Sequence, residues 1–281
     1  MMPCYTGTSA FRFADNKTHS RERERIMLLV IDTGNTTTAA GVYDGEELIA
    51  HWRLSSTPRT HDELGIYFLG LLRTIDVKPS DIHGAAFASV VPSLDFPIIE
   101  AIKKYFGVEP LQVNGTTDTG MKILCDSPRE VGADRIVNAV AGREKYGMPL
   151  IVADYGTAIT FDVVSPEGAY MGGVIAPGLM SGISALFSKA AKLPQVALNI
   201  PASVIGRNTE QAIQSGILFG NAGLTDRIVD MIRADPAMKG AKVIATGGHA
   251  GLMKRVSERI DAVDKWLTLE GLKMIFERVN G

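Results

Sequence analysis

Two short polar loops, each placed directly after a buried strand-like run, carry residue types that suit phosphate chemistry. The first is Asp32-Thr33-Gly34-Asn35-Thr36, and the second is Asp154-Tyr155-Gly156-Thr157. A carboxylate at a strand end can meet a cation, and glycine lets the backbone approach a ligand closely. The N–H groups of such a turn can bind phosphate oxygens. One loop alone is typical of an ordinary turn, so the pair is what indicates a nucleotide site.

A third glycine-rich turn follows another short apolar run. Val243-Ile244-Ala245-Thr246 leads into Gly247-Gly248. A glycine pair there would let the backbone pass closely along a nucleotide, although by itself it is typical of a strand-to-helix turn. It supports the two loops rather than standing alone.

Other well-known chemical signatures are absent from the sequence. It contains no GxxxxGK[ST] or GxGxxG loop, no HExxH pair and no GxSxG elbow. The two cysteines, Cys4 and Cys125, have no zinc-site spacing and make no disulfide framework. These features disfavour metal–histidine and Ser–His chemistry, and the cysteine usage fits a reducing compartment.

The two loops belong to a unit that occurs twice. Each copy is predicted as strand, Asp-x-Gly loop, strand, turn and strand, over residues 27–52 and again over residues 150–175. Helical stretches follow each copy, at residues 62–75, 93–106, 181–191 and 209–234. The pattern predicts an α/β protein of two equivalent halves with a cleft between them. We place the domains at residues 27–146 and 147–281, because Gly147 and Pro149 end a helix before the second copy.

The segment before that boundary has a strong helix-start signal. Ser127-Pro128-Arg129-Glu130 offers an N-cap serine, proline at the first helical position and glutamate at the third. This predicts a helix from Pro128, with Asp134 near its start. Asp134 and Asn138 lie one turn apart, so both are expected to face the cleft.

Composition bounds the class of protein. The 281 residues are 46% hydrophobic and 21% charged, with a net charge of −2. This balance is typical of a globular protein, shows no basic surplus for nucleic acid, and includes no apolar run of membrane-spanning length. Residues 1–26 lack periodicity and an apolar signal core, so we expect a disordered extension and a cytoplasmic protein.

Taken in order, the motifs resemble those of the type III pantothenate kinases, members of the acetate and sugar kinase, Hsp70 and actin superfamily. The resemblance runs from Met27 to Gly281 and also includes Gly132-x-Asp134-Arg135, Gly172-Gly173-x-x-x-Pro177-Gly178 and Leu269-Glu270-Gly271-Leu272. It implies two duplicated ribonuclease-H-like domains, as in actin-like ATPases, around a nucleotide cleft. It also implies ATP-dependent phosphorylation of pantothenate, the first step of coenzyme A biosynthesis, with Mg²⁺, a monovalent cation (K⁺ or NH₄⁺) and a homodimer.

The resemblance also implies roles for individual residues. The proton acceptor falls on Asp134, and the monovalent-cation ligand falls on Asp154. ATP contacts fall on Asp32, Thr33, Gly34, Asn35, Thr36, Thr37, Thr38, Ala39 and Thr157. Substrate contacts fall on Cys125, Gly132, Ala133, Asp134, Arg135 and Thr209. Arg135 is expected to meet the pantothenate carboxylate, because its guanidinium donors form a fork.

One position departs from the family pattern. Cys125 stands where the family usually has a tyrosine that contacts pantothenate, so the pocket is either reshaped or compensated by neighbouring residues. Two alternatives stay open beside the pantothenate kinase. The chain could be a non-catalytic regulatory or accessory protein on the same fold, or a kinase of another small alcohol.

Overall fold

The computed structural model describes residues 27–189 and 196–281. The predicted extension over residues 1–26 and the end of the helix predicted at residues 181–191 lie outside these ranges. Seven of the strand predictions are borne out within about three residues at each end.

Apolar cores on both faces bury the central strand of the first sheet. On its central strand, Leu28 and Val30 point to one apolar core, while Met27, Leu29 and Ile31 point to another. The sheet has five strands in the order β3-β2-β1-β4-β5, of which β1, β2 and β3 are antiparallel and β4 and β5 run parallel to β1. The strands are β1 (Met27–Thr33), β2 (Thr37–Asp44), β3 (Glu47–Ser55), β4 (Ile82–Ser89) and β5 (Leu111–Val113).

The second sheet repeats this plan. Its order is β10-β9-β6-β7-β8, with β6, β7 and β8 antiparallel and β9 and β10 parallel to β6. The strands are β6 (Leu150–Tyr155), β7 (Ala158–Val164), β8 (Tyr170–Pro177), β9 (Lys242–Thr246) and β10 (Ala262–Val263). When β6 is matched to β1, the two orders are identical strand for strand. The two sheets therefore share one topology.

Helices cover both sheets. They are α1 (His61–Arg73), α2 (Pro92–Phe106), α3 (Ala133–Tyr146), α4 (Leu179–Lys189), α5 (Thr209–Arg233), α6 (Ala250–Met253) and α7 (Leu267–Asn280). α1 and α2 pack on one face of the first sheet, and α5 and α6 pack on one face of the second. Across the described ranges, no helix combines the length and apolarity required to span a bilayer.

α3 and α7 lie between the two sheets. Ile136 and Val140 of α3 share one core with Leu272 and Ile275 of α7, and with residues of both sheets. Gly271 permits this close packing, because a Cβ there would stand 2.4 Å from the Val137 carbonyl oxygen. The C-terminal helix thus returns to pack against the first sheet, although it follows the second in the chain.

The helix start predicted at Ser127 is wrong. Pro128–Glu130 forms a single 3₁₀ turn, the Ser127 side chain makes no cap bond, and Val131 is extended. α3 begins at Ala133 with Gly132 as its N-cap residue. The chain therefore turns again before the helix, which places Asp134 within the first helical turn.

Candidate active site

The two phosphate-type loops meet each other. A hydrogen bond of 3.0 Å joins the Thr36 and Thr157 hydroxyls, one from each loop. Each loop is a tight turn, in which Gly34 N–H donates to the Thr37 carbonyl at 3.1 Å and Gly156 N–H donates to the Ala158 carbonyl at 3.0 Å. The loops predicted from the repeat are thus brought together.

The predicted ATP-contact residues divide by exposure. Asn35, Thr36 and Thr37 are exposed at the tip of the first loop. Thr33 and Thr38 are buried, and the Thr38 hydroxyl is hydrogen-bonded to Ser56 at 2.8 Å. The side chains free to meet a nucleotide are therefore those of the loop tip, while the neighbouring threonines support the strands.

Three carboxylates converge between the loops. Asp32 and Asp154 are the penultimate residues of β1 and β6, and Asp134 lies in the first turn of α3. Burial, then the charges of Asp134 and Asp154, raise the pKa of Asp32 well above 3.8. Burial and the charge of Asp134 raise the pKa of Asp154 to about 7. This mutual repulsion is typical of a site built to hold positive charge.

Asp134 is held at the start of its helix. Its Oδ1 accepts a hydrogen bond of 2.8 Å from the Arg135 backbone N–H. Burial is the largest influence on the Asp134 carboxyl, and it raises the pKa above 3.8. The carboxylate is therefore fixed in direction and more basic than an exposed aspartate.

Asp154 is positioned from two sides. Asn138 Nδ2, one turn beyond Asp134, donates to Asp154 Oδ2 at 3.0 Å, and the Thr268 hydroxyl of α7 donates to Asn138 Oδ1 at 2.7 Å. On the other side, Gly247 has φ of +88°, and a Cβ there would stand 2.3 Å from Asp154 Oδ1. The glycine turn after β9 therefore lies directly against this carboxylate.

The Asp32 carboxylate fits a cation. Its Oδ1 is buried and accepts no hydrogen bond from any described residue. A buried carboxylate oxygen without a donor is costly unless a cation or a ligand satisfies it. Within residues 27–189 and 196–281, no three His, Cys, Asp or Glu side chains are close enough to hold a metal by themselves. A cation here would share its ligands with the phosphates of a nucleotide.

Arg135 is turned toward a buried partner. Its Nε donates to Asp162 Oδ1 at 2.6 Å, and the Tyr170 hydroxyl donates to the same oxygen at 2.7 Å. Asp162 is fully buried, whereas 16% of the Arg135 side chain remains exposed. Arg135 was predicted from the sequence, whereas Asp162 was not, because its position two residues after Thr160 on β7 gives no local signal.

The remaining predicted substrate residues are only partly assembled. Gly132 and Ala133 directly precede Asp134, and Cys125 Sγ lies 3.7 Å from where a Gly172 Cβ would stand. Burial raises the pKa of the Cys125 thiol, while Arg135 opposes that shift. Thr209 begins α5, and no hydrogen bond or ion pair between described residues links it to residues 132–135.

A cavity of about 490 Å³ adjoins the cleft. It lies between β3, which contributes Trp52 and Arg53, and the turn at Gly247 and Gly248. The Trp266 ring also lines it and lies 3.8 Å, between ring centroids, from that of His51. Arg53 was not predicted from the sequence. It lies on β3 opposite Ala39 of β2. The cavity combines aromatic surface with positive charge beside the loops.

Comparison with known proteins points to one family. The family model described as type III pantothenate kinase matches residues 28–231. A type III pantothenate kinase of Geobacillus kaustophilus is 48% identical over 253 residues, covering 90% of this chain and 98% of the relative. The type III pantothenate kinase of Geobacter sulfurreducens is 49% identical, with 90% and 99% covered.

Two solved structures share the fold at low sequence identity. A conserved putative Baf family transcriptional activator from Campylobacter jejuni superposes with a TM-score of 0.57 at 18% identity, covering 90% of this chain and 98% of that one. Component A of (R)-2-hydroxyglutaryl-CoA dehydratase from Acidaminococcus fermentans gives 0.54 at 15% identity, with 91% and 100% covered. These likenesses concern the fold and carry no function across.

Proposed function

This chain belongs to the type III pantothenate kinase family, and we propose that Asp134 is the proton acceptor of its reaction. The chain is a kinase that uses ATP to phosphorylate the alcohol group of pantothenate in coenzyme A biosynthesis. The observation that carries the proposal is the fixed Asp134 carboxylate beside Asp32 and Asp154, where the two loops meet.

Phosphoryl transfer depends on positioning and charge neutralisation more than on covalent help. The backbone N–H groups of Asn35 and Thr36 at the loop tip bind phosphate oxygens, while the Gly34 N–H closes the turn. Thr157 adds a contact from the opposite loop. Asp134 accepts the proton of the attacking primary hydroxyl, a role that contributes on the order of 10²–10⁴-fold. In a loose transition state that proton leaves late, so Asp134 also orients the hydroxyl.

The nucleotide occupies the loops and the adjoining cavity. Support comes from the Gly247–Gly248 turn, which passes without side chains between the cavity and Asp154, and from the aromatic and cationic cavity wall. Asp32, whose Oδ1 has no donor among the described residues, would hold Mg²⁺ together with the phosphates. When bound, Mg²⁺ offsets the phosphate charge during transfer.

Asp154 is the ligand of a monovalent cation, K⁺ or NH₄⁺. Its raised pKa and its position beside Asp134 create a demand for positive charge. Asn138 already satisfies Oδ2, which leaves Oδ1 on the side of Gly247. The bound cation would order the second loop and neutralise charge near the transferring group.

Two duplicated ribonuclease-H-like domains surround the nucleotide cleft in this proposal, with a division at residues 146 and 147. The identical strand orders of the two sheets support the duplication. α7 then belongs to the second domain by sequence and packs on the first domain.

A homodimer completes the molecule. Among the described residues, no hydrogen bond or ion pair joins Thr209 to residues 132–135, so we assign its substrate contact to the site of the neighbouring subunit. Exposed apolar side chains lie on the edge strand β8, on α4 and in the loop before α5. They are Met171, Val174, Ile175, Met180, Leu186, Val204 and Ile205. An apolar surface of this kind is typical of a contact between chains.

The alternatives are weaker. A regulatory protein on this fold would have no need of three cleft carboxylates, and all three are present. A kinase of another small alcohol has Cys125 as its only support. We propose pantothenate and ATP as the partners, with no nucleic acid and no membrane. We place the protein in the cytoplasm.

The direct test is ADP release with pantothenate and with related alcohols, in potassium and in sodium. We expect pantothenate-dependent ADP release and a product heavier by one phosphate, with turnover several-fold higher in potassium. Turnover only with another alcohol would contradict pantothenate as the substrate. Equal rates in both salts would contradict a monovalent cation at Asp154.

A further inference from the structure

Asp162 lies outside the loops, yet it holds one of the proposed substrate residues. Three donors surround its buried carboxylate, two on Oδ1 and one on Oδ2. They are Arg135 Nε at 2.6 Å, the Tyr170 hydroxyl at 2.7 Å and the Thr160 hydroxyl at 3.1 Å. Such a carboxylate has little freedom to move, because each oxygen is tied to a different element or residue.

Asp162 binds the Arg135 guanidinium through Nε alone. Nε is the single guanidinium nitrogen that donates to a described residue, and Nη2 is buried without an acceptor. The Arg135 guanidinium also lies 6.0 Å from the centre of the Tyr170 ring, which limits its tilt. An arginine fixed at Nε with unpaired terminal nitrogens is arranged to receive a planar anion.

Glycine lets β8 pack closely against the guanidinium. A Cβ at Gly173 would stand 2.5 Å from Arg135 Nη2 and would clash with the Phe161 carbonyl oxygen, and Cys125 Sγ would lie 3.7 Å from a Cβ at Gly172. Nη2 is therefore enclosed by β8, and an anion would approach the guanidinium from the 16% of the Arg135 side chain that stays exposed. Asp134 precedes Arg135 in the first turn of α3, and in the proposed function one extended molecule with a carboxylate and a hydroxyl meets both side chains.

We propose that Asp162, supported by Tyr170, is a positioning residue that aims Arg135 at the carboxylate of the substrate and so sets the preference for an acid over a neutral analogue. The inference rests on the proposed function, in which Arg135 contacts pantothenate. Asp162 itself touches no substrate. It fixes the direction of the guanidinium before the substrate arrives, which reduces the ordering cost of binding.

The test compares pantothenate with pantothenol, in which an alcohol replaces the carboxylate. Tyr170→Phe removes one bond to Asp162 with little change of shape, and Asp162→Asn removes the charge. Loss of a hydrogen bond to a charged group corresponds to about tenfold in binding. We expect KM for pantothenate to rise about tenfold in Asp162→Asn and less in Tyr170→Phe. KM for ATP and KM for pantothenol should stay within about twofold of wild type in both.

The matched control is Tyr146→Phe, which removes a tyrosine bond to another aspartate, Asp264, at the opposite end of α3. It should leave the ratio of the two KM values unchanged. An unchanged ratio in both Asp162→Asn and Tyr170→Phe would overturn the inference, as would an equal rise of KM for pantothenol. If Asp162→Asn does not fold, Tyr170→Phe decides alone. Wild-type protein without pantothenate-dependent turnover would instead refute the proposed function.

Discussion

A carboxylate that accepts a proton must be ionised before the reaction, and burial opposes ionisation. Asp134 combines both conditions, because burial raises its pKa above 3.8 while the Arg135 N–H and charge oppose the shift. The protonated form cannot accept a proton. We therefore expect kcat/KM for pantothenate to fall as pH is lowered through the Asp134 pKa, with a midpoint above 3.8.

The pH profile should be measured together with circular dichroism, so that loss of activity is separated from unfolding. A midpoint of kcat/KM at or below pH 3.8, in protein that remains folded, would contradict a raised pKa of Asp134.

Residue types near the reaction were visible in the sequence, whereas their partners were not. The Asp-x-Gly spacing predicted Asp32 and Asp154, because a glycine after a strand-end carboxylate leaves a local pattern. Asp162 and Arg53 leave none, since each acquires its meaning from a residue that the fold brings near, Arg135 for Asp162 and Gly248 for Arg53. Arg135 was predicted to meet the pantothenate carboxylate, and only the packing of α3 on β7 shows that it also pairs with Asp162.

At the scale of elements, α7 reaches the reaction centre through α3. The Thr268 hydroxyl fixes the Asn138 amide so that Nδ2 faces Asp154. Asn138 is buried, so Thr268→Val leaves its Oδ1 without a donor. We expect the free energy of unfolding to fall by about 1–3 kcal/mol in Thr268→Val.

Thr268→Ser is the matched control, because it keeps the hydroxyl. It should retain most of the stability in urea-induced unfolding. Equal losses in the two variants would show that the methyl group, rather than the bond to Asn138, stabilises this contact.

Elements were predicted most reliably where apolar residues mark what is buried. The continuous apolar run of β1, buried on both faces, and the face of α1 formed by Leu64, Phe68 and Leu72 follow directly from the sequence. The predicted start of α3 was wrong because capping residues show only where a helix is able to begin. Here the chain forms a 3₁₀ turn and an extended residue first, and tertiary packing places the helix start at Ala133.

At the scale of the whole molecule, the repeat in the sequence corresponds to two sheets of identical strand order. The return of α7 to the first sheet could not be predicted, because no local pattern states which sheet a C-terminal amphipathic helix covers. The association of chains is likewise a property of surfaces and remains a prediction.

The proposed dimer can be tested on its exposed apolar side chains. Ile175 and Ile205 are 63% and 81% exposed, and an aspartate at either position would place a charge in an apolar interface. We expect wild-type protein to have the mass of a dimer by light scattering, and Ile175→Asp or Ile205→Asp to shift it toward the monomer.

Ile66→Asp serves as the control, since Ile66 is 64% exposed on α1, away from β8 and α5. A monomeric wild type would contradict the dimer. The same shift in all three variants would indicate nonspecific association.

The central claim is that Asp134 accepts the proton of the pantothenate hydroxyl, and Asp134→Asn tests it most directly. The measurement is turnover of wild type and variant with saturating pantothenate and MgATP, alongside equilibrium binding of the nucleotide. We expect Asp134→Asn to fold, to bind MgATP within about twofold of wild type and to lose on the order of 10²–10⁴-fold in turnover. Turnover equal to that of wild type would contradict it.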